Sequence, residues 1–264
     1  MQASGEAPAQ VAAIALDLGV GAIRDIESIK HGLTNRSWLV STDQDRCVVR
    51  SSDESARELQ IDRNSEAAVL ELVSQAGIGP DVLRCDPERG ILVTRYLGVT
   101  WSERDAQASE NIERLAGLLR RLHALAVPSS VRTVDLAATV HGYLRTLDER
   151  GIRSGLTLPA LRECADQTAM QLRKGSTPCL CHNDVHHLNI VGGESLRLID
   201  WEYAGVGEPL FDLASACVYH RYRRSQRERL LSAYAAPSET VSWQRLELAC
   251  WLFDYIRDLW MAVR

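Results

Sequence analysis

Apolar and polar residues divide this chain into a strand-rich first third and a helix-rich remainder. Short apolar or alternating runs bounded by turn residues predict strands, and the polar turn Asp43-Gln44-Asp45 predicts a hairpin. The predicted strands span 23–30, 37–42, 46–51, 81–84 and 91–96. Apolar residues at helical spacing predict a helix over 56–76 among these strands, and a short helix over 11–18 precedes them.

Beyond residue 97 the helical spacing dominates. Ser109 is predicted to cap a helix whose apolar face includes Ile112, Leu115 and Leu119. Further helices are predicted at 131–150, 158–174, 209–219, 226–235 and 241–263, and a short strand at 196–199. An antiparallel sheet with a helix, followed by a helical part, predicts an α+β fold of two lobes, residues 1–97 and 98–264.

Composition narrows the class of protein. The chain has 264 residues, 45% of them apolar, which is enough to bury a substantial core. Its net charge of -5 argues against a general nucleic-acid binder. Seven irregularly spaced cysteines indicate reduced thiols and a cytoplasmic location, and no stretch predicts a signal peptide or a membrane span.

The segment 181–200 carries the strongest chemical signal. Asp184 lies on a predicted loop, Asn189 follows five residues later, and Asp200 ends the short strand after a Gly-Gly turn. Asp and Asn are common in turns, so ordinary loop residues are the alternative interpretation. The order and spacing are nevertheless typical of phosphoryl transfer, in which the first Asp accepts the hydroxyl proton. The other two residues would bind Mg²⁺ against the phosphates of ATP.

A phosphoryl-transfer site also needs a cation on the phosphates. Arg50 closes a predicted strand, and an acid on the next helix would orient it. Glu66 is the predicted partner, with Glu58 and Asp62 as alternatives. Gly32, in the loop 31–35, would allow the backbone to approach the phosphates closely.

A metal site is a competing interpretation of the same region. The candidate zinc ligands are Cys179, Cys181, His182, His186 and His187. A Cys-x-Cys pair on a strand places both thiols on one face, where buried cysteines are common. The pattern therefore favours buried cysteines over a zinc centre.

The residues 182–189 resemble the catalytic loop of the choline/ethanolamine kinase and aminoglycoside phosphotransferase superfamily. Its pattern is His-x-Asp, four residues, then Asn. The segment 198–205, Leu-Ile-Asp-Trp-Glu-Tyr-Ala-Gly, is similar to bacterial choline kinases and thiamine kinases. Segments 32–35, 61–66, 119–123 and 211–214 are also similar and occur in the same order.

The resemblance implies a protein-kinase-like bilobal fold with ATP and Mg²⁺ between the lobes. Asp184 would be the catalytic base, Asn189 and Asp200 the metal ligands, and Asp212 a brace for the catalytic loop. The implied nucleotide-binding residues are Arg50, Glu66, Gly32, Thr34, Asn35, Tyr96 and Leu97. Tyr96 and Leu97 would lie at the hinge.

The acceptor implied by the resemblance is a small hydroxyl compound such as choline, ethanolamine or thiamine. A cationic acceptor favours an aromatic cage. The predicted substrate contacts are Asp184, Tyr203, Trp260, Glu202 and Trp251, and Asp254 or Asp258 would add negative charge. Arg257 stands where choline kinases carry a tryptophan, which leaves the three acceptors open.

Two other functions remain open at the level of the sequence. An aminoglycoside phosphotransferase would use the same machinery, although the mixed charges of the C-terminal half do not favour a polycationic substrate. A nucleotide-binding pseudokinase would lack transfer, although the intact Asp184, Asn189 and Asp200 argue against it. A homodimer is one assembly open to the chain.

Overall fold

A five-stranded antiparallel sheet forms the strand-rich part of the protein. The structure, a computed structural model, describes residues 6–29, 35–52, 59, 61–235 and 242–264. The sheet order is β1-β2-β3-β5-β4. Its strands are β1 (Ile23–Ile29), β2 (Asn35–Thr42), β3 (Arg46–Ser52), β4 (Val82–Asp86) and β5 (Ile91–Arg95). The predicted strands and the hairpin of β2 and β3 are confirmed.

Two helices cover this sheet. Helix α1 (Glu6–Asp17) packs Val11 and Ala15 against buried residues of β2, β3 and β5. Helix α2 (Arg63–Gln75) contributes its apolar face to the main core. The predicted start of α2 at residue 56 is wrong, because Asp62 is extended and accepts hydrogen bonds from the backbone of Asn64 and Ser65 as the N-cap. Residues 53–58 and 60 lie outside the described residues.

The second part of the chain is mainly helical. Its helices are α3 (Glu103–Gln107), α4 (Ser109–His123), α5 (Leu136–Glu149), α6 (Pro159–Arg173), α7 (Pro209–Tyr219), α8 (Arg224–Tyr234) and α9 (Trp243–Val263). Ser109 is not a cap, because Ala108 occupies that position and the short α3 ends immediately before it. Helix α5 begins five residues later than predicted, after its N-cap Asp135.

Four short strands form the floor of the cleft. Strand β6 (Cys179–Cys181) pairs with β9 (Gly205–Gly207), and β7 (Ile190–Val191) pairs with β8 (Arg197–Leu198). The predicted strand at 196–199 thus has only two residues. Across the described ranges, no helix combines the length and apolar character that crossing a membrane requires. The proposed boundary at residue 97 stays a prediction.

His220 is an unusual buried residue at the end of α7. Only 4% of it is exposed, and its ring packs 5.3 Å from that of Tyr222. Among the described residues, neither ring nitrogen has a hydrogen-bond partner. Burial, together with the nearby His187 and His186, lowers the pKa of His220 to about 3. The fold therefore requires a neutral imidazole here.

This burial predicts a specific acid sensitivity. In the unfolded chain His220 takes up a proton near pH 6.5, whereas the folded chain does so only near pH 3, so acid favours unfolding. The residue should remove about 1.4 kcal/mol of unfolding free energy per pH unit below pH 6. Replacing it in His220→Phe should flatten the dependence between pH 6 and pH 4.5, measured by urea unfolding. His141→Phe, at a 39% exposed side chain, is the control, and equal slopes for wild type and His220→Phe would contradict the prediction.

Candidate active site

The predicted catalytic loop, between β6 and β7, is held by the buried carboxylate of Asp212. Asp212, in the first turn of α7, has no exposed surface. It accepts hydrogen bonds from the backbone N–H groups of His182 at 2.9 Å and Asn183 at 2.6 Å. Its Oδ2 also lies 2.9 Å from Nε2 of His123. Asp212 therefore occupies the position that a brace of the loop requires.

Asp184 lies next on this loop, and several donors surround its carboxylate. The amide of Asn189 donates to both the backbone oxygen and Oδ2 of Asp184, each at 3.0 Å, and Nε2 of His186 lies 3.5 Å from Oδ2. Burial works to raise the pKa of Asp184, but the hydrogen bond and charge of His186, aided by the Tyr219 hydroxyl, hold it below its usual value. Asp184 is thus ionised at neutral pH and can accept a hydroxyl proton.

Asn189 and Asp200 meet at the end of the β7–β8 hairpin. The backbone N–H of Ile199 donates to the carbonyl of Asn189 at 3.0 Å, which brings the two residues together. Asp200 has a left-handed backbone with φ of 64°, a conformation that Asp tolerates better than most residues. The side-chain nitrogen of Asn189 is directed at Asp184. The side-chain oxygen, Oδ1, is therefore the atom that remains for a cation.

The charge of Asp200 is poorly compensated. Its side chain is 37% exposed, yet its surroundings disfavour the charged form. Desolvation, followed by the Glu202 charge, outweighs the guanidinium of Arg50 and raises the pKa of Asp200 to about 8. A divalent cation would relieve this cost, and a carboxylate with an amide oxygen is a donor set that suits Mg²⁺.

Arg50, the predicted phosphate-binding residue, is in contact with Glu66, its predicted partner on α2. Arg50 on β3 is 8% exposed and lies 2.7 Å from the carboxylate of Glu66 on α2, which is 3% exposed. The other guanidinium nitrogen of Arg50 is 3.3 Å from Asp200. Of the alternative partners, Asp62 caps α2, whereas Glu58 lies outside the described residues. The pair thus joins the sheet to the proposed metal ligand.

Arg63 is a residue of this site that the sequence interpretation missed. Its guanidinium contacts Glu66 at 2.7 Å, Glu202 at 3.1 Å and the side-chain oxygen of Asn35 at 2.8 Å. Asn35 in turn donates to Glu202 at 2.8 Å. The spacing of Arg63 and Glu66, three residues apart on one helix, is the sequence signal that could have revealed the contact.

The remaining nucleotide-binding predictions are only partly described. Gly32 and Thr34 lie outside the described residues, whereas Asn35 belongs to the ion network. Tyr96 and Leu97 follow β5 at the predicted connection between the lobes. The guanidinium of Arg46 lies 4.3 Å from the ring centre of Tyr96, and its backbone oxygen accepts from the Tyr96 N–H. This links the connection to the start of β3.

Two predicted acceptor residues are brought together beside the catalytic loop. Nε1 of Trp260, on α9, donates to the Tyr203 hydroxyl at 2.9 Å. The backbone oxygen of Tyr203 accepts from Asn183 at 3.0 Å. Burial, followed by the charge of Glu202, raises the pKa of Tyr203, so this phenol is neutral. Tyr203 and Trp260 therefore form one aromatic wall next to Asp184.

Two further tyrosines, which the sequence interpretation missed, also lie near Asp184. The Tyr219 hydroxyl lies near enough to Asp184 to help lower the pKa of that carboxyl, and its ring packs edge-on against His186, with ring centres 5.1 Å apart. Tyr143 is 3% exposed, and its pKa is raised by burial and, in smaller part, by the charge of Asp184. Both come from distant helices, so no local motif marks them.

Trp251 and Glu202, which were predicted to contact the acceptor, have other partners in the structure. Trp251 stacks on Tyr255 with ring centres 5.7 Å apart. It lies nine residues before Trp260, or about 13 Å along α9. The structure therefore does not bring Trp251 to Tyr203, and Glu202 binds Arg63 instead of facing open space.

Arg257 is clasped by neighbouring carboxylates. It lies 2.6 Å from Asp254 and 3.2 Å from Asp258, all on α9. Two carboxylates thus offset one guanidinium at the position where the resemblance to choline kinases predicts a tryptophan. A cationic acceptor would meet no uncompensated positive charge from this side chain.

His182, His186 and His187, the candidate zinc ligands, contact other groups than the two cysteines. Nε2 of His182 lies 3.0 Å from the backbone oxygen of Ile199, and His186 pairs with Asp184. His187 packs its ring 6.1 Å from that of His220. The structure does not bring these three side chains to Cys179 and Cys181.

Comparison with known proteins supports the same chemistry. The profile of the phosphotransferase enzyme family matches residues 25–248. A thiamine kinase of Salmonella paratyphi B is 31% identical over 223 residues, which cover 81% of this chain and 72% of that protein. Ethanolamine kinase 2 of Rattus norvegicus is 25% identical over 197 residues, 70% of this chain, and this chain spans only 51% of its length.

Solved structures show the same architecture. The choline kinase LicA of Streptococcus pneumoniae superposes with a TM-score of 0.82 at 21% identity, covering 97% of this chain and 90% of that chain. A choline/ethanolamine kinase family protein of Mesorhizobium loti gives a TM-score of 0.74 at 28% identity, with coverage of 98% and 85%. The expected protein-kinase-like fold is confirmed. By the family match over most of its length, this chain belongs to the phosphotransferase enzyme family and is a small-molecule phosphotransferase.

Proposed function

We propose that this protein is a Mg²⁺- and ATP-dependent kinase that phosphorylates the hydroxyl of a small cationic alcohol, of the choline, ethanolamine or thiamine class. The observation that carries the proposal is a continuous set of contacts. Asn189 binds Asp184, the backbone of Asn189 binds the residue before Asp200, and Asp200 binds Arg50. The names of the relatives, thiamine kinase and ethanolamine kinase, support the acceptor class.

Asp184 would act on the acceptor hydroxyl. Its carboxylate is ionised, and the Asn189 amide fixes its orientation. It would accept a hydrogen bond from the attacking hydroxyl and take its proton as the new P–O bond forms. The brace of Asp212 keeps the loop in the required position.

Asn189 and Asp200 would hold the metal, and Arg50 would contact the phosphates. Bound Mg²⁺ supplies charge neutralisation and a template for the phosphate oxygens. The donor chemistry fits, because the carboxylates Glu66, Glu202 and Asp200 outnumber the guanidinium groups of Arg50 and Arg63 in this network. A divalent cation would balance the excess negative charge.

The acceptor side suits a cation that carries an alcohol. Tyr203 lies near Asp184 and is joined to Trp260 by a hydrogen bond, and Asp254 and Asp258 offset the charge of Arg257. Cation–π attraction and nearby carboxylates both favour positive charge in the acceptor. Thiamine, choline and ethanolamine each combine a cationic group with a primary hydroxyl.

The decisive test is acceptor-dependent ADP release from Mg-ATP with choline, ethanolamine, thiamine and an aminoglycoside. We expect turnover with one of the first three, and Asp184→Asn should lower kcat by about 10²- to 10⁴-fold because the base is lost. Nucleotide binding, measured by calorimetry, should persist in the variant. Asp166→Asn, at a carboxylate 40% exposed on α6, is the matched control.

Three outcomes would contradict this proposal. Turnover retained in Asp184→Asn would remove Asp184 from the chemistry. Activity on the aminoglycoside alone would move the acceptor to the antibiotic class. ATP binding without transfer to a broader set of metabolite alcohols would indicate a pseudokinase.

The Tyr203 hydroxyl provides a test of the acceptor wall. Tyr203→Phe keeps the ring but removes the hydrogen bond to Trp260, which orients the indole. A loss of about 1 kcal/mol should raise the acceptor KM roughly fivefold and leave the ATP KM unchanged. Tyr255→Phe, which loses a comparable bond to the Leu156 carbonyl, should change neither constant. An equal change of the acceptor KM in the two variants would contradict the role of Tyr203 and Trp260 in acceptor binding.

Arg63 is predicted to act as a positioning residue that couples α2 to Glu202. Arg63→Gln and Glu202→Gln should each raise the ATP KM and lower stability, because each removes one charge from a buried ion network. Their effects on urea unfolding should be non-additive by about 1 kcal/mol or more. Arg89→Gln, at a 72% exposed side chain, is the control. Additive effects would show that the two residues are not coupled.

A further inference from the structure

The thiols of Cys179 and Cys181 and the imidazole of His123 lie close together next to Asp212. Cys179 and Cys181 lie on β6 with their sulfur atoms 3.9 Å apart. A ring nitrogen of His123, at the end of α4, joins them so that the three ligand atoms all lie within 4.8 Å of one another. Both cysteines are free thiols. The His123 side chain is only 6% exposed, so the group is largely sealed within the fold.

The spacing of these atoms matches tetrahedral metal coordination. With metal–sulfur bonds of about 2.3 Å, two thiolates on one tetrahedral Zn²⁺ lie about 3.8 Å apart. The observed sulfur separation is 3.9 Å, so the two thiols need almost no movement. A tetrahedral Zn²⁺ places nitrogen and sulfur ligands about 3.5 Å apart, so the histidine needs a shift of roughly 1.3 Å at most, and water can fill the fourth position.

The charges around the group also suit a divalent cation. Two thiolates would neutralise such an ion, and a neutral complex can be buried at low cost. The carboxylates of Asp212 and Glu208 lie close enough for their charge to act on Cys181. Cys181 has no exposed surface, whereas Cys179 is partly exposed and offers the ion a route from solvent.

Metal binding would compete with the brace of the catalytic loop. Nδ1 of His123 lies 2.7 Å from the Tyr234 hydroxyl, and Nε2 lies 2.9 Å from Asp212. Both nitrogens are therefore engaged, and a metal must displace one contact. Coordination through Nε2 would displace the contact with Asp212. Its loss would free Asp212, which holds the backbone of His182 and Asn183.

We propose that Cys179, Cys181 and His123 form a second metal site, selective for thiophilic divalent cations such as Zn²⁺ and Cd²⁺, whose occupancy slows phosphoryl transfer by taking His123 from Asp212. The binding half of this proposal stands on these residues alone, and the inhibitory half rests on the proposed kinase function. The site is separate from the Mg²⁺ ligands Asn189 and Asp200, since hard cations prefer oxygen donors.

Cadmium titration of the reduced full-length chain tests the binding half. We expect an ultraviolet thiolate-to-Cd²⁺ charge-transfer band that saturates at one ion per chain. Cys179→Ser and Cys179→Ala should weaken binding at least tenfold. Cys85→Ser removes an exposed thiol on β4, and Cys250→Ser removes one member of the buried Cys217–Cys250 pair. Both controls should keep the band, and circular dichroism verifies that every variant is folded.

Two results would overturn the binding half. One is the absence of a saturable band in the wild-type chain. The other is an equal band in the Cys179 variants, which would place the bound cadmium on other thiols. Because the band is read without substrate, it remains informative even if the chain proves to transfer no phosphate.

ADP release under saturating Mg-ATP tests the inhibitory half. Turnover of the wild-type chain should fall in parallel with the band, by at least tenfold at saturation, and recover with a chelator selective for soft metals. Each variant is compared with its own metal-free rate, and the Cys179 variants should resist inhibition. Undiminished turnover at full occupancy would overturn this half, as would equal inhibition of the Cys179 variants, which would indicate Cd²⁺ at the Mg²⁺ site.

Discussion

The geometry of the cleft depends on buried charges that are shared between the two lobes. Glu66 on α2 binds both Arg50 and Arg63, and Arg63 reaches Glu202 directly after the catalytic hairpin. Each of these side chains would be costly to bury alone, so the network forms only when sheet, helix and hairpin are all in place. The lobes are thus aligned by the requirement that no partner be left unpaired.

A second buried carboxylate organises the opposite side of the catalytic loop. Asp212 binds two consecutive backbone N–H groups, which a side chain from the rigid first turn of α7 can hold in one orientation. Val185 is fixed in the same way by the hydroxyl of Ser215 on that helix. The loop is therefore shaped by α7, while its own residues remain available for chemistry.

The sequence predicted the parts of the site that are local in the chain. Asp184, Asn189 and Asp200 share one loop and hairpin, so their spacing carries the information. Arg50 and Glu66 are separate, yet each sits at a recognisable position on a strand or helix. Arg63 was missed because its contact with Glu202 spans 139 residues of chain. Tyr143 and Tyr219 were missed because they act on Asp184 from helices that come together only in the fold.

The errors have similar physical origins. The apolar pattern extended α2 backward to residue 56, but the side chain of Asp62 competes for the first free amides and starts the helix at Arg63. Trp251 was grouped with Trp260 because both are aromatic residues of α9. The rise of the helix separates the two residues. Trp251 stacks on Tyr255 and packs against the core. Residue type alone does not encode such distances.

The contrast between cleft and surface ion pairs has a consequence for the effect of ionic strength. Arg84 and Asp17 meet at 2.7 Å on the rim of the sheet, with Asp17 71% exposed, so dissolved salt screens their attraction. Arg50, Arg63, Glu66 and Glu202 are almost wholly enclosed, where mobile ions cannot enter between them. Rising salt concentration would therefore loosen the attachment of α1 to the sheet while leaving the alignment of the lobes unchanged.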